Sequence, residues 1–166
     1  MADPNQSDAW PLGEGAGEFE PSFIDLYREL QLPMVRLACA LTGSETLAQD
    51  LVHDVFIRAH GHWDRIEHPR SYLRASVVNA CRSASRRAKR ERSADALFVV
   101  EDVELEADEM FDALSSLPYR QRAALVLQYY EGLSQGEIAE ILGCREGTVA
   151  SLVHRGLAQL RRVIDQ

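Results

Sequence analysis

The chain has 166 residues, 46% of them hydrophobic, and acids outnumber bases 26 to 18 for a formal charge of −8. That length allows one large domain or two small ones with packed cores, and the total charge taken alone argues against a polyanionic partner. The cysteines, Cys39, Cys81 and Cys144, are odd in number and share no close spacing, which excludes a disulfide framework or a CxxC site and points to a reducing, cytoplasmic compartment.

Residues 1–19 are polar and rich in Gly, Asp and Glu, and are expected to form a disordered tail. They lack the basic and apolar regions of a signal peptide. No apolar run approaches the roughly 20 residues of a membrane span, so no membrane insertion is expected. From Phe19 to Leu41 the positions Phe23, Leu26, Tyr27, Leu30, Val35, Leu37, Ala38 and Leu41 recur at helical spacing, with Pro33 marking a break. Ser44 is a plausible N-cap for an amphipathic helix with Leu47, Leu51, Val55 and Ala59 on its stripe, widened by Val52 and Phe56 and ended by Gly61. "DRIEHP" (64–69) reads as a loop. Ser71 then caps a helix to about Arg92, with Leu73, Val77, Ala80, Cys81 and Ala84 inward. Residues 93–107 show no clean period and much acid, and read as a linker. From Asp108 the helical pattern returns and continues to the end. Strand alternation and hairpin signals are missing, so the predicted fold is all-α: two helical domains, 20–92 and 108–166, joined by an acidic tether.

Charge is unevenly placed along these elements. Residues 1–64 hold 11 acids and 3 bases; residues 65–92 hold 2 acids and 9 bases, a net of +7; residues 93–121 hold 8 acids and 1 base, a net of −7. A +7 block between acidic blocks is a local field that attracts a polyanion. Arg74, Arg82, Arg86, Arg87, Lys89, Arg90 and Arg92 follow one helix with no acid among them before Glu91, a costly self-repulsion unless a polyanion is met. The alternative is a merely solvated face.

The stretch "LSQGEIAEILGCREGTVASLVHRGLAQLRR" (133–162) has the chemistry of a helix-turn-helix. Ser134 and Glu137 form a capping box. Ile138, Ile141 and Leu142 give the first helix a buried face, and Ala139 is small where a second helix crosses. Gly143 permits the left-handed turn that stops it. The second helix starts near Glu146 and turns Val149, Val153, Gly156 and Leu160 inward. The alternative is an ordinary helical hairpin.

These residues carry a family resemblance. "LPYRQRAALVLQYYEGLSQGEIAEILGCREGTVASLVHRGLAQLR" resembles the −35-reading region 4 of bacterial extracytoplasmic-function sigma factors. "ALTGSETLAQDLVHDVFIRAHGHWDRIEHPRSYLRASVVNACRSASRR" resembles their region 2, which holds core RNA polymerase and reads the −10 element. Both stretches occur in the family's order. The resemblance implies an alternative sigma factor that directs core RNA polymerase to specific promoters and helps to initiate transcription, without enzymatic activity of its own. Core polymerase and promoter DNA are the implied partners, and an anti-sigma factor is a further partner of the same kind.

Carried over by position, the −35 contacts fall on Arg145, Thr148, Ala150, Ser151, His154 and Arg155. The family commonly has Lys or Arg at 150 and 152, where this chain has Ala150 and Leu152. Ala150 makes no hydrogen bond to a base or phosphate, though its methyl suits a thymine methyl, and Leu152 fits the core stripe. Arg145 is a poor N-cap but a good phosphate contact. Glu146 suits a helix N-terminus yet repels phosphate unless it accepts from a cytosine amino group. Arg161 and Arg162 either hold phosphate or compensate the helix dipole. The −10 contacts fall on Trp63, Asn79, Arg82, Arg86, Arg87 and Arg90. Asn79 either reads a base edge or bonds to its own helix. Trp63 either stacks on an extruded −10 base or belongs to the core. The grip on core polymerase falls on Gln49, Asp50, His53, Asp54 and Ile57. The family's −10 and −35 elements lie roughly 16–17 base pairs apart, about 55 Å at 3.4 Å per step. The linker 93–107 spans at most about 50 Å when extended, and its acidity either suits a basic channel of polymerase or belongs to an indifferent spacer.

His53, His60, His62 and His68 with Cys39 and Cys81 lack the tight ligand pairs of zinc sites. No metal, no cofactor and no nucleophile–base pair is expected. Two other readings stay open at this level: a stand-alone helix-turn-helix regulator, and a sigma-like interaction module with weak promoter contact.

Overall fold

The computed structural model describes residues 22–94 and 109–165, and all described secondary structure is helical. The expected tail, and the expected linker beyond Ala94, lie outside the described residues. The N-terminal lobe holds α1 (Phe23–Thr42), α2 (Glu45–His60) and α3 (Pro69–Ala94), with a 3-10 turn at Trp63–Arg65. The C-terminal lobe holds α4 (Glu109–Ser115), α5 (Tyr119–Leu125), a π-helical turn at Val126–Tyr130, α6 (Gln135–Leu142) and α7 (Glu146–Ile164).

Helix α1 runs through Pro33 without a break. Proline removes one backbone donor and its ring crowds the preceding turn. Pro33 and Glu29, whose carbonyl loses that donor, lie on the solvent side, where water can take the donor's place. On the opposite side Leu26, Leu30, Met34 and Leu37 are buried and hold both halves of the helix. Gly43 ends α1 in the left-handed region, φ +80°, with its N–H bonded to the carbonyl of Cys39.

Ser44 caps α2 as expected, accepting from the N–H of Leu47. The buried face is rotated from the expected stripe: Ala48, Val52, Val55, Phe56 and Ala59 are inside, Leu47 is exposed and Leu51 is half-buried. The face turned to α1 wins because α1 and α2 make the most extensive helix pair of the lobe. Helix α3 begins at Pro69, two residues before the expected cap at Ser71. Proline at the first helical position has φ preset and loses no needed donor, and the N–H of Tyr72 already bonds to the carbonyl of His68 at 2.9 Å. Leu73, Val77, Val78 and Cys81 fill its inner face; Ala80 and Ala84 are only half-buried.

In the C-terminal lobe the capping box of Ser134 and Glu137 is complete. The Ser134 hydroxyl accepts from the N–H of Glu137, whose carboxylate accepts from the N–H of Ser134 at 2.8 Å. Gly143, φ +62°, ends α6. Helix α7 packs across α5 and α6 through Val149, Leu152, Val153 and Gly156. A Cβ at Gly156 would stand 2.8 Å from Cδ1 and 3.2 Å from Cγ of the buried Leu125. Gly156→Val should therefore destabilise this lobe by about 1–3 kcal/mol through overpacking. A thermal melt within experimental error of the parent would contradict this packing of α5 on α7.

The buried apolar residues of the two lobes form one continuous cluster. The lobes meet where α1 and α3 touch α4, α5, α6 and the π-helical turn.

A candidate nucleic-acid interface

Helix α7 presents a polar outer face because its apolar residues are spent on α5 and α6. Arg145, Thr148, Ala150, Ser151, His154 and Arg155 are all exposed, and all but Arg145, which precedes the first turn, lie on α7 itself. Leu152 is 6% exposed and joins the core. Arg145 takes the N-cap position with no side-chain hydrogen bond, so its guanidinium is not used to cap α7. The Ser151 hydroxyl donates to the carbonyl of Gly147 at 3.0 Å, and Arg155 Nε donates to the carbonyl of Ser151 at 3.2 Å. Both donors are thus parked on their own helix, while the terminal nitrogens of Arg155 stay available. Glu146 leans back on α6: a Cβ at Gly136 would lie 3.1 Å from its carboxylate. There the carboxylate faces the N-terminal turn of α6, where a helix dipole favours negative charge.

Helix α3 carries the second polar face. Asn79, Arg82, Arg86 and Lys89 recur at helical spacing on one side, with Arg90 adjacent. Arg87 pairs with Glu91 at 2.8 Å, both exposed. Among the described residues Arg82, Arg86, Lys89, Arg90 and Arg92 have no ion-pair partner. This is the field that the +7 block of the sequence implies. The Asn79 amide is exposed, and no described residue shares a hydrogen bond with it. The amide thus makes no bond to its own helix in this structure.

Between α2 and α3 runs a groove of about 780 Å³. Leu47, Leu51, Val55 and Ala80 form its apolar floor, and Arg58, His62, Tyr72, Ser76, Asn79 and Arg87 add polar groups. His62 Nε2 and the Tyr72 hydroxyl lie 2.9 Å apart. Trp63 sits elsewhere: its ring meets Phe23 edge-on at 5.0 Å and is half-buried against α1. The aromatic side chains beside Asn79 are therefore Tyr72, which the sequence did not single out, and His62, which it offered only as a metal ligand. The signal was present in Tyr72 and Asn79, seven residues apart and so two turns along one face.

The outer face of α2 exposes Gln49, Asp50, His53, Asp54 and Ile57. Gln49, Asp50 and His53 border a second groove of about 340 Å³ shared with Tyr27, Gln31, Leu32 and Val35 of α1. Leu32 and Ile57 are 55% and 58% exposed. Exposed apolar side chains on a surface that also carries Asp50 and Asp54 suit a protein partner better than a nucleic acid.

No group of three or more His, Cys, Asp or Glu side chains among the described residues is arranged to hold a metal. Burial pushes the Cys81 thiol up to about 12, so it stays protonated and inert at neutral pH. No described helix is long and apolar enough to cross a membrane.

Comparison with known proteins matches a separate family to each of the two lobes. Residues 26–91 match sigma-70 region 2, and residues 107–160 match sigma-70 region 4. The RNA polymerase sigma-E factor of Streptomyces avermitilis is 34% identical over 154 residues, covering 86% of this chain and 85% of that protein. The ECF RNA polymerase sigma factor SigM of Mycobacterium tuberculosis is 33% identical over 171 residues, covering 96% and 85%. Among solved structures, the sigma factor RpoE of Bartonella quintana in complex with the anti-sigma factor NepR superposes with a TM-score of 0.72 at 25% identity, covering 86% of this chain and 96% of that one. CnrH in complex with the cytosolic domain of CnrY gives 0.65 at 25% identity, covering 86% and 87%.

Proposed function

The chain belongs to the extracytoplasmic-function RNA polymerase sigma factors, alternative factors that direct the polymerase to promoters, and from that premise we propose which residues do the work. The observation that carries the assignment is the pairing, in one chain, of a basic helix on which Arg82, Arg86, Lys89, Arg90 and Arg92 have no ion-pair partner among the described residues with an outward-facing helix-turn-helix.

Residues 20–92 form region 2 and residues 108–166 form region 4. The outer face of α2, with Gln49, Asp50, His53, Asp54 and Ile57, binds core polymerase. Arg82, Arg86 and Arg90 hold −10 phosphates. Asn79, with Tyr72 and His62 in the same groove, meets an extruded −10 base: the Asn79 amide reads its edge and an aromatic ring stacks on it. Trp63 supports the loop from behind. On α7, Arg155 is the main polar reader of the −35 element, with Thr148 and His154 beside it, Ala150 against a thymine methyl, and Arg145 on phosphate. The polymerase performs the chemistry, in the cytoplasm where its template lies, and this chain needs no cofactor. One solved relative is bound to an anti-sigma factor, and a partner of that class is proposed here too.

Run-off transcription with purified core polymerase tests the assignment. Promoter-dependent transcripts only when both proteins are present are expected. Tight sequence-specific binding without core would instead mark a stand-alone regulator. Core binding with no promoter selectivity would mark an interaction module. Within this scheme Arg155→Ala should cost about 1–3 kcal/mol and relax preference at one or two −35 positions. An equal loss on every sequence would reassign Arg155 to phosphate.

A further inference from the structure

The groove between α2 and α3 is longer than one extruded base needs. His62, Tyr72 and Asn79 occupy one end of it. Ala80, Ala84 and Ala88 carry its floor onward along α3, with Leu47 and Leu51 of α2 facing them. Leu47 is 38% exposed. A sugar-phosphate strand gains little from an apolar floor, whereas an exposed apolar patch with a polar rim marks a site for polypeptide. The rim here is basic. Arg58 and Arg87 line the groove, and Arg82, Arg86 and Arg90 on the same helix have no ion-pair partner among the described residues. A fitting occupant has apolar side chains for the floor and carboxylates for the rim.

The chain carries such a segment itself. Residues 1–21 hold five acids and no base, together with Trp10, Leu12 and Phe19. The match to sigma-70 region 2 begins at residue 26, so this segment lies outside it. The structure fixes where the segment meets the lobe. Helix α1 starts at Phe23, whose ring packs edge-on against His60 at 4.7 Å and Trp63 at 5.0 Å. His62, between those two in the chain, lines the end of the groove and lies 2.9 Å from the Tyr72 hydroxyl. The segment therefore enters beside the groove mouth. From Phe23 back to Trp10 the chain reaches about 45 Å at most, and α3 from Tyr72 to Glu91 runs only about 28 Å. Tethering gives the segment a local concentration of about a millimolar, so a weak contact suffices to fill the site. Its carboxylates face the +7 block of residues 65–92, which attracts them as it attracts phosphate.

We propose that residues 8–20 dock in this groove, with Trp10 and Leu12 on the Leu47–Leu51 floor and the carboxylates along the basic rim, and that they compete there with the melted −10 strand. A carboxylate then takes the place of a phosphate and the indole that of a base. Competition weakens every strand by the same factor, and non-specific strands, weakly held to begin with, drop out first. The competition rests on the sigma-factor reading; the docking does not.

The test uses the full chain labelled with 5-fluorotryptophan. It has two tryptophans, and Trp10→Phe assigns their fluorine resonances. The Trp10 resonance should stand away from its position in a free peptide of residues 1–21. It should return there with Leu51→Gln or Ala84→Gln in the floor, at unchanged helicity. An unlabelled single strand of about twelve nucleotides should also return it, in the chain without floor substitutions. A Trp10 resonance already at the peptide position would overturn the docking. One that ignores both floor variants would put the segment elsewhere and leave the groove to a second protein. Trp10→Ala keeps all five acids and should raise affinity for the strand about five-fold, as expected if the segment fills the groove about four-fifths of the time. Unchanged affinity would overturn the competition. A docked Trp10 in a chain that binds no strand, with or without Trp10→Ala, would instead overturn the −10 reading of α3.

Discussion

Replacing Asp50 and Asp54 together by arginine is expected to abolish co-purification of the chain with core RNA polymerase. The two carboxylates stand four residues apart on the exposed side of α2, flanked by Gln49, His53 and Ile57. Neither has an ion-pair partner among the described residues, so their charge is open to a partner. Reversal changes the local charge by four units. Like charges brought together at an interface cost several kcal/mol, enough to lower affinity by more than about a hundred-fold. The same change is nearly silent in the free chain. A positive charge in place of the Asp54 carboxylate, one turn before Arg58, costs only a few tenths of a kcal/mol, and the buried face of Ala48, Val52, Val55 and Phe56 is untouched. Circular dichroism and thermal melting should match the parent while polymerase is lost. Retained co-purification would move the interface off α2.

The second large effect belongs to α3. Arg82→Ala, Arg86→Ala and Arg90→Ala together should weaken promoter complexes steeply at physiological salt and flatten their salt dependence. Each phosphate contact contributes about 0.9 to the slope of log K against log salt on a duplex and about 0.7 on a single strand. Loss of all three should therefore lower the slope by about 2.7 if they hold duplex, or by about 2 if they hold a melted strand. Stability should not fall, since these bases have no ion-pair partners among the described residues and repel one another in the free chain. Open complexes unchanged at moderate salt would refute the role of this helix. Arg87 is left out because it already shares Glu91 at 2.8 Å.

Local chemistry determined a good part of this protein from sequence alone. The capping box at Ser134 and Glu137, the left-handed Gly143, the Ser44 cap and the fit of Leu152 to the core all depend on neighbours within about one turn, and all appear in the structure. The charge block became a basic helix for the same reason. The tertiary structure decided what periodicity leaves degenerate. Pro33 breaks a helix unless its faulty side faces water and its other side is buried, which only packing reveals. Leu47 and Ala48 compete for the inner face of α2, and contact with α1 chooses Ala48. Trp63 and Tyr72 are both aromatic and both near Asn79 in sequence. Phe23, forty residues before Trp63 in the chain, draws the tryptophan away and leaves the groove to Tyr72. Arg122 carries no local mark at all. Its partner carbonyl belongs to Leu41, 81 residues away, and a backbone acceptor has no signature in a sequence. Contacts set by side-chain type and short spacing were legible, and contacts set by loop closure to an anonymous carbonyl had to be seen in three dimensions.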